Sequence, residues 1–129
     1  MDIDWRNQNT FFLKTGEAKT YIGKYRGVNR IPLLKLSEMY LIAAEASGDK
    51  GYLQTLRDHR GYVNYPLEEN CDLAAEIEAE YRKEFMAEGQ LFYYYKRLDY
   101  NTLPDMGVVM TGNYVFPMPD DEMEFGDIK

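Results

Sequence analysis

The order of apolar and polar residues changes character several times along the chain, and each change predicts an element. Residues 10–25 hold two β-prone runs, Thr10-Phe11-Phe12-Leu13-Lys14 and Thr20-Tyr21-Ile22-Gly23-Lys24-Tyr25, around the polar stretch Thr15-Gly16-Glu17-Ala18-Lys19. That arrangement predicts a short hairpin within 10–27. Such a hairpin is marginal alone and needs something to pack on. From Pro32 to Ser47 the pattern becomes helical. Pro32 suits a first turn. Leu33, Leu34, Leu36, Met39, Tyr40, Leu41 and Ile42, followed by small alanines, cover most of the circumference of a helix over 32–47. A helix apolar all round is buried on more than one side. Ser47-Gly48-Asp49 ends it.

Residues 51–60 predict a second, shorter helix with Gly61 as its C′ residue. The brief link makes the two helices antiparallel neighbours. Residues 62–72 read as loop, and Asp72 as the N-cap of a third helix. Residues 73–98 lack proline and space Leu73, Ile77, Tyr81 and Phe85 four apart. They predict one long helix whose weak point is Gly89. The chain closes with an extended piece ending at Pro117 and a helical turn from Pro119.

Composition narrows the function classes. A chain of 129 residues, 45% hydrophobic and 29% charged, is expected to be one globular domain, 1–129. It has no run of 18 apolar residues, so no transmembrane segment is expected. The net charge of −7 argues against nucleic acid and against docking on anionic lipid. The lone Cys71 cannot form an intramolecular disulfide. The lone His59 leaves no metal site of the Glu-x-x-His type. Met1-Asp2-Ile3-Asp4-Trp5-Arg6 lacks the basic and apolar blocks of a secretory leader.

Two constellations stand out. Glu76, Glu80, Glu84 and Glu88 are spaced at i, i+4 and form one row on a helix. Glu76 and Glu80 are expected on a solvated face. Glu84 and Glu88 lie beside Phe85, Met86 and Phe92, and are expected to meet Arg57 and Arg60 in a cross-helix ion lock. Aromatic residues reach 15%. Trp5, Tyr62 and Tyr65 fall in predicted loops, where binding residues concentrate, and are the ligand-binding candidates. No catalytic residue, metal or cofactor is assigned. There is no Gly-x-Ser-x-Gly and no phosphate-binding loop, and His59 has no nucleophile motif beside it. Paired carboxylates leave an acidic glycoside hydrolase as one alternative.

Ile31-Pro32-Leu33-Leu34-Lys35-Leu36-Ser37-Glu38-Met39-Tyr40-Leu41-Ile42-Ala43-Ala44-Glu45-Ala46 resembles a signature of the SusD/RagB family, the glycan-binding outer-membrane lipoproteins of Bacteroidetes. Lys35 stands where that family usually has Arg. Tyr52-Leu53-Gln54-Thr55-Leu56-Arg57-Asp58-His59-Arg60-Gly61 is similar to its Leu-Asn-x-Val-Arg-x-Arg-Ala-Gly helix end. Tyr81-Arg82-Lys83-Glu84-Phe85-Met86-Ala87-Glu88-Gly89-Gln90-Leu91-Phe92 resembles its Glu-Arg-x-x-Glu-Leu-x-x-Glu-Gly-x-Arg-Phe. Tyr114-Val115-Phe116-Pro117-Met118-Pro119 resembles its terminal Tyr-x-Phe-Pro-Ile-Pro.

The resemblance covers about residues 20–122 and implies a mainly α fold: a tetratricopeptide-like α/α array with a small β-hairpin and long irregular loops. It implies glycan capture at the cell surface, without catalysis, for a SusC-like TonB-dependent barrel. The full-length protein would be lipid-anchored in the outer membrane, with this chain as its C-terminal part. The matched motifs are structural ones, so the resemblance supplies no ligand residue. The other alternative is a helical scaffold fragment that binds only protein.

Overall fold

Local capping residues bound several of the helices, but the first starts later than the residue pattern predicts and the long third one is two. The computed structural model describes residues 3–7, 12–14, 20–30, 32–103, 107–110, 112, 114–115 and 117–119. The fold is mainly α. In chain order the elements are β1 (Phe12–Lys14), β2 (Thr20–Ile22), α1 (Leu36–Ser47), α2 (Lys50–Arg57), α3 (Leu73–Glu84) and α4 (Gln90–Arg97). A 3₁₀ turn spans Trp5–Asn7, and a wider π-type turn spans Asp58–Tyr62. β1 and β2 pair antiparallel with Leu13 opposite Tyr21. The hairpin's connecting stretch, 15–19, lies outside the described residues.

The first helix begins later than predicted. Lys35 is extended at φ −119° and serves as its N-cap, so Pro32 lies ahead of the helix. Leu33 and Leu34 are exposed, so they gain nothing from a helical turn there. Gly48 ends α1 in the left-handed conformation, φ 69°, its N–H donating to Ala44 O at 2.9 Å. Asp49 then caps α2 by accepting from Gly51 N at 2.8 Å. The α-helical part of the predicted 51–60 segment covers 50–57, and the chain then widens into the π-type turn. Asp72 caps α3, its Oδ1 accepting from Ala74 N and Ala75 N at 3.1 and 3.2 Å.

The long helix predicted over 73–98 is two helices. α3 stops at Glu84, α4 starts at Gln90, and Ala87 (φ 61°) and Gly89 (φ 76°) are left-handed between them. A left-handed alanine costs about 1–2 kcal/mol. Two tertiary contacts offset that cost. Phe85 is buried, with the Lys35 ammonium 5.1 Å from its ring centroid. Glu88 is drawn to the ammonium groups of Lys24 and Lys35.

The chain forms two compact units, Met1–Glu88 and Gly89–Lys129, and the boundary falls within the span read from sequence as one helix. In the first unit, α1 packs on both α2 and α3. Leu41 and Ala44 of α1, Leu53 and Leu56 of α2, and Ile77 and Tyr81 of α3 are buried there with Phe85. Contrary to the all-round apolar pattern, α1 buries one stripe, Ser37-Leu41-Ala44, while Leu36, Met39 and Ile42 remain exposed. In the second unit, Tyr95 packs on Tyr100 (5.1 Å between centroids) and Phe92 on Tyr114 (5.7 Å). The Tyr114 hydroxyl donates to Tyr100 O at 2.8 Å, and Thr102 bridges Val109. The helical turn predicted from Pro119 lies outside the described residues, as does part of the extended piece before it. No helix among the described residues is long and apolar enough to cross a membrane.

Candidate functional site

The most buried charged groups gather where the 3₁₀ turn meets α3. Arg6 is only 4% exposed. Its Nε and Nη2 donate to Asp4 Oδ1 and Oδ2 at 2.9 and 2.7 Å. Nη2 also donates to Glu80 Oε2 at 2.9 Å, and Nη1 to Glu84 Oε2 at 3.3 Å. Glu80 and Glu84 are four apart on α3 and present one face to Arg6. Arg60 grips Glu84 with two bonds, 3.0 and 2.8 Å, and Lys83 Nζ reaches Glu80 Oε1 at 2.8 Å. Three carboxylates thus meet three cations, which removing charge from water demands.

The ionisations reflect this pairing. Burial pushes the Glu84 carboxyl up, but hydrogen bonds from Arg60 and Ser37 and the charges of Arg60 and Arg6 hold it below its usual range. Burial likewise opposes ionisation of Asp4, and its bonds to Arg6 lower it overall. Burial works against the Arg6 charge, yet Asp4 and Glu80 raise its pKa.

A second charged corner lies at the other side of Glu84. Lys24 comes from the turn after β2, Lys35 from the start of α1, and Glu88 from the segment after α3. Both ammonium groups donate to the same oxygen, Glu88 Oε1, and Lys24 also donates to the Glu84 backbone carbonyl. Burial lowers the Lys24 pKa, the Glu88 bond restores part of it, and the Lys35 charge lowers it again. Burial also opposes the Lys35 charge, but its bond to Glu88 raises its pKa overall. Burial pushes the Glu88 carboxyl up, and the two lysines bring it below the ordinary value. The Lys35 ammonium sits 5.4 Å from the Tyr25 ring centroid and 5.1 Å from that of Phe85. Tyr25 Oη is buried and lies near enough to Lys35 to help raise that ammonium's pKa, without a hydrogen bond of ideal geometry among the described residues.

A cleft of about 450 Å³ joins these groups, with Trp5, Tyr25, Lys24, Lys35, Arg60 and His59 on its walls. Trp5 is 55% exposed. The Trp5 ring lies close over Gly61, where a β-carbon would come within 2.7 Å of Cδ1 and Nε1 and within 2.4 Å of Ile3 O. Gly61 therefore does more than end a helix. At φ 104° it turns the chain, and its missing side chain makes room for the indole. His59 is exposed, with Nδ1 2.8 Å from Thr55 O.

The structure brings one of the three aromatic candidates to the cleft. Trp5 lines it, and Tyr62 and Tyr65 do not. The Tyr62 ring instead carries cations, Arg57 Cζ at 4.9 Å and Lys83 Nζ at 5.6 Å from its centroid. Burial raises the Tyr62 pKa, and its hydroxyl stands 3.4 Å from Asp4 Oδ2. Tyr65 is exposed on the adjoining loop.

The ion lock is rearranged rather than absent. Arg60 binds Glu84 as predicted. Arg57 instead pairs with Glu76 at 2.7 Å, and Glu88 with the two lysines. Glu80, expected on a solvated face, is completely buried because Arg6 and Lys83 neutralise it. Sequence reasoning missed Arg6, Lys24 and Lys35. The available signal was the Glu80/Glu84 pair beside apolar residues, which called for a cation without saying which one. Compared with protein-family models, curated proteins and solved structures, the chain matches none.

Proposed function

We propose that this chain is a non-catalytic glycan-binding module that holds oligosaccharide at the cell surface for a SusC-like TonB-dependent barrel in the outer membrane. In this reading the full-length protein is lipid-anchored and this chain is its C-terminal part. The observation that carries the reading is the chain's single tryptophan, more than half exposed on the wall of a cleft rich in hydrogen-bonding groups. An exposed indole stacks on the apolar face of a sugar ring, and nearby charged groups bond its hydroxyls. The ordered motifs at 31–46, 52–61, 81–92 and 114–119 support the family reading.

The same tryptophan makes the test direct, because its emission reports the site alone. Titration with a panel of soluble oligosaccharides should shift or quench the emission for at least one, and that sugar should raise the melting temperature. Trp5→Ala, followed by calorimetric titration because the emitting group is gone, should weaken the same sugar tenfold or more. If no glycan changes either emission or melting, the reading is wrong.

One observation favours a second reading, a scaffold that binds protein. Leu36, Met39 and Ile42 share an exposed side of α1, with Leu33 and Leu34 just ahead. Under that reading Met39→Glu abolishes partner binding and Trp5→Ala leaves it intact.

A further inference from the structure

We propose that Glu84 is the positioning residue of the Trp5 platform: by binding Arg6 and Arg60 together it fixes the indole against Gly61 in one orientation before a sugar arrives. This role rests on the glycan reading and adds what holds that site in shape. Arg6 is the residue after Trp5, and Arg60 is the residue before Gly61. Glu84 accepts from both. Its Oε2 takes Arg6 Nη1 at 3.3 Å and Arg60 Nε at 3.0 Å, and its Oε1 takes Arg60 Nη2 at 2.8 Å. One carboxylate on α3 thus sets the distance between the turn that carries the indole and the turn that receives it. The contact it registers is close. The pyrrole edge of Trp5, Cδ1 and Nε1, lies where a β-carbon on Gly61 would find no room.

Burial separates this role from simple adhesion. A 3₁₀ turn has about three residues per turn, so consecutive side chains leave it in different directions. Asp4 and Arg6 are buried, and Trp5 between them is exposed. Asp4 closes the turn on itself, its Oδ1 accepting from Arg6 N at 3.0 Å and its backbone carbonyl from Asn7 N at 3.0 Å. The indole stands on a base pinned on both sides. Charge-assisted bonds to a guanidinium fork fix direction as well as distance. A buried ion cluster is weak as a source of stability, but it supplies that single geometry. An aromatic platform already ordered spares a ligand the cost of ordering it.

The test follows the motion of the chain's single tryptophan by time-resolved emission anisotropy, with no sugar present. In the wild type the indole should turn only with the whole chain. Glu84→Gln should add a fast, sub-nanosecond decay. Arg60→Gln, which releases the Gly61 side at a part-exposed arginine, should add one too. Leu41→Ala, a truncation in the α1–α2–α3 core, should unfold at lower urea and leave the decay as in the wild type. Calorimetric titration with hexasaccharides of glucose, galactose and mannose should then show affinity falling about three- to tenfold in the two charge variants and not in Leu41→Ala. A fast decay already present in the wild type overturns the proposal. So does a decay unchanged in both charge variants, or undiminished affinity in them for a sugar that the wild type binds. A fast decay in Leu41→Ala as well also overturns it, because general loosening then explains the motion. If Glu84→Gln does not fold, Arg60→Gln decides alone. Binding by none of the sugars counts against the glycan reading, and the anisotropy result alone then upholds or overturns the positioning.

Discussion

Two charged clusters in the first unit share Glu84, one through its carboxylate and the other through its backbone carbonyl. Around Arg6 every carboxylate has a cation, and the arginine is 4% exposed. Around Glu88 two lysines divide one oxygen beside an open cleft. The first arrangement suits structure. It ties residues 4–6 to α3 across more than seventy positions of sequence, and a closed network has no capacity left for a ligand. The second is shared between two cations and borders a cleft. The difference teaches that counting ion pairs says little about role. What matters is whether the donors and acceptors close.

The largest effects should come from opening the closed cluster. Glu84→Gln leaves Arg6 and Arg60 short of a counter-charge, and a buried pair broken from one side costs about 3–5 kcal/mol. Urea unfolding at pH 7 measures this directly. Acid should act on the same groups. Asp4, Glu84 and Glu88 have folded pKa values below their ordinary ones, so each contributes stability that is complete above the unfolded value near pH 4 and is lost as pH falls through the folded value. Urea midpoints should therefore fall steeply below about pH 4, and Glu84→Gln should flatten that limb.

A smaller loss is expected where the 3₁₀ turn rests on the π-type turn. Gly61→Ala places a β-carbon against Ile3 O and the Trp5 ring at a backbone angle that alanine disfavours. It should cost about 1–3 kcal/mol and move Trp5 emission. An unchanged melt and emission spectrum would show that the two turns do not touch in solution. The smallest effect is expected at Arg57, whose partner Glu76 is partly exposed. Arg57→Ala should cost no more than about 1 kcal/mol, mostly through the lost stacking on Tyr62. A loss as large as that of Glu84→Gln would place Arg57 inside the closed cluster and blur the contrast.

What the sequence made legible was local. Gly48, Asp49 and Asp72 mark helix ends by capping chemistry that acts over a few residues, and each does so in the structure. Gly61 was readable as a left-handed turn, but not as the floor beneath Trp5, because that depends on a segment more than fifty residues away. The row of glutamates was readable as one helix face. Its fates were not, because an i, i+4 pattern does not reveal which cation arrives from elsewhere. Arg60 met Glu84 since the spacing of both was sufficient, whereas Glu80 was buried by Arg6 from the far end of the chain. The break at 85–89 escaped for the same reason. Gly89 weakens a helix only slightly, and the decision is made by Lys35 over the Phe85 ring and by the two lysines on Glu88. Of the site itself, Trp5 was legible as an aromatic in a loop, and Lys24 and Lys35, which line the cleft with it, were not.

The contrast between a closed and an open cluster is tested most directly by neutralising one cation in each. Arg6→Gln and Lys35→Gln should be unfolded in urea beside the wild type at pH 7. The account predicts a loss of about 3–5 kcal/mol for Arg6→Gln, and less than about 1 kcal/mol for Lys35→Gln, because Lys24 keeps its carboxylate and loses a repelling neighbour. Losses of similar size at the two positions would mean that Lys35 is as fully committed to structure as Arg6, and the contrast between the two clusters would fail.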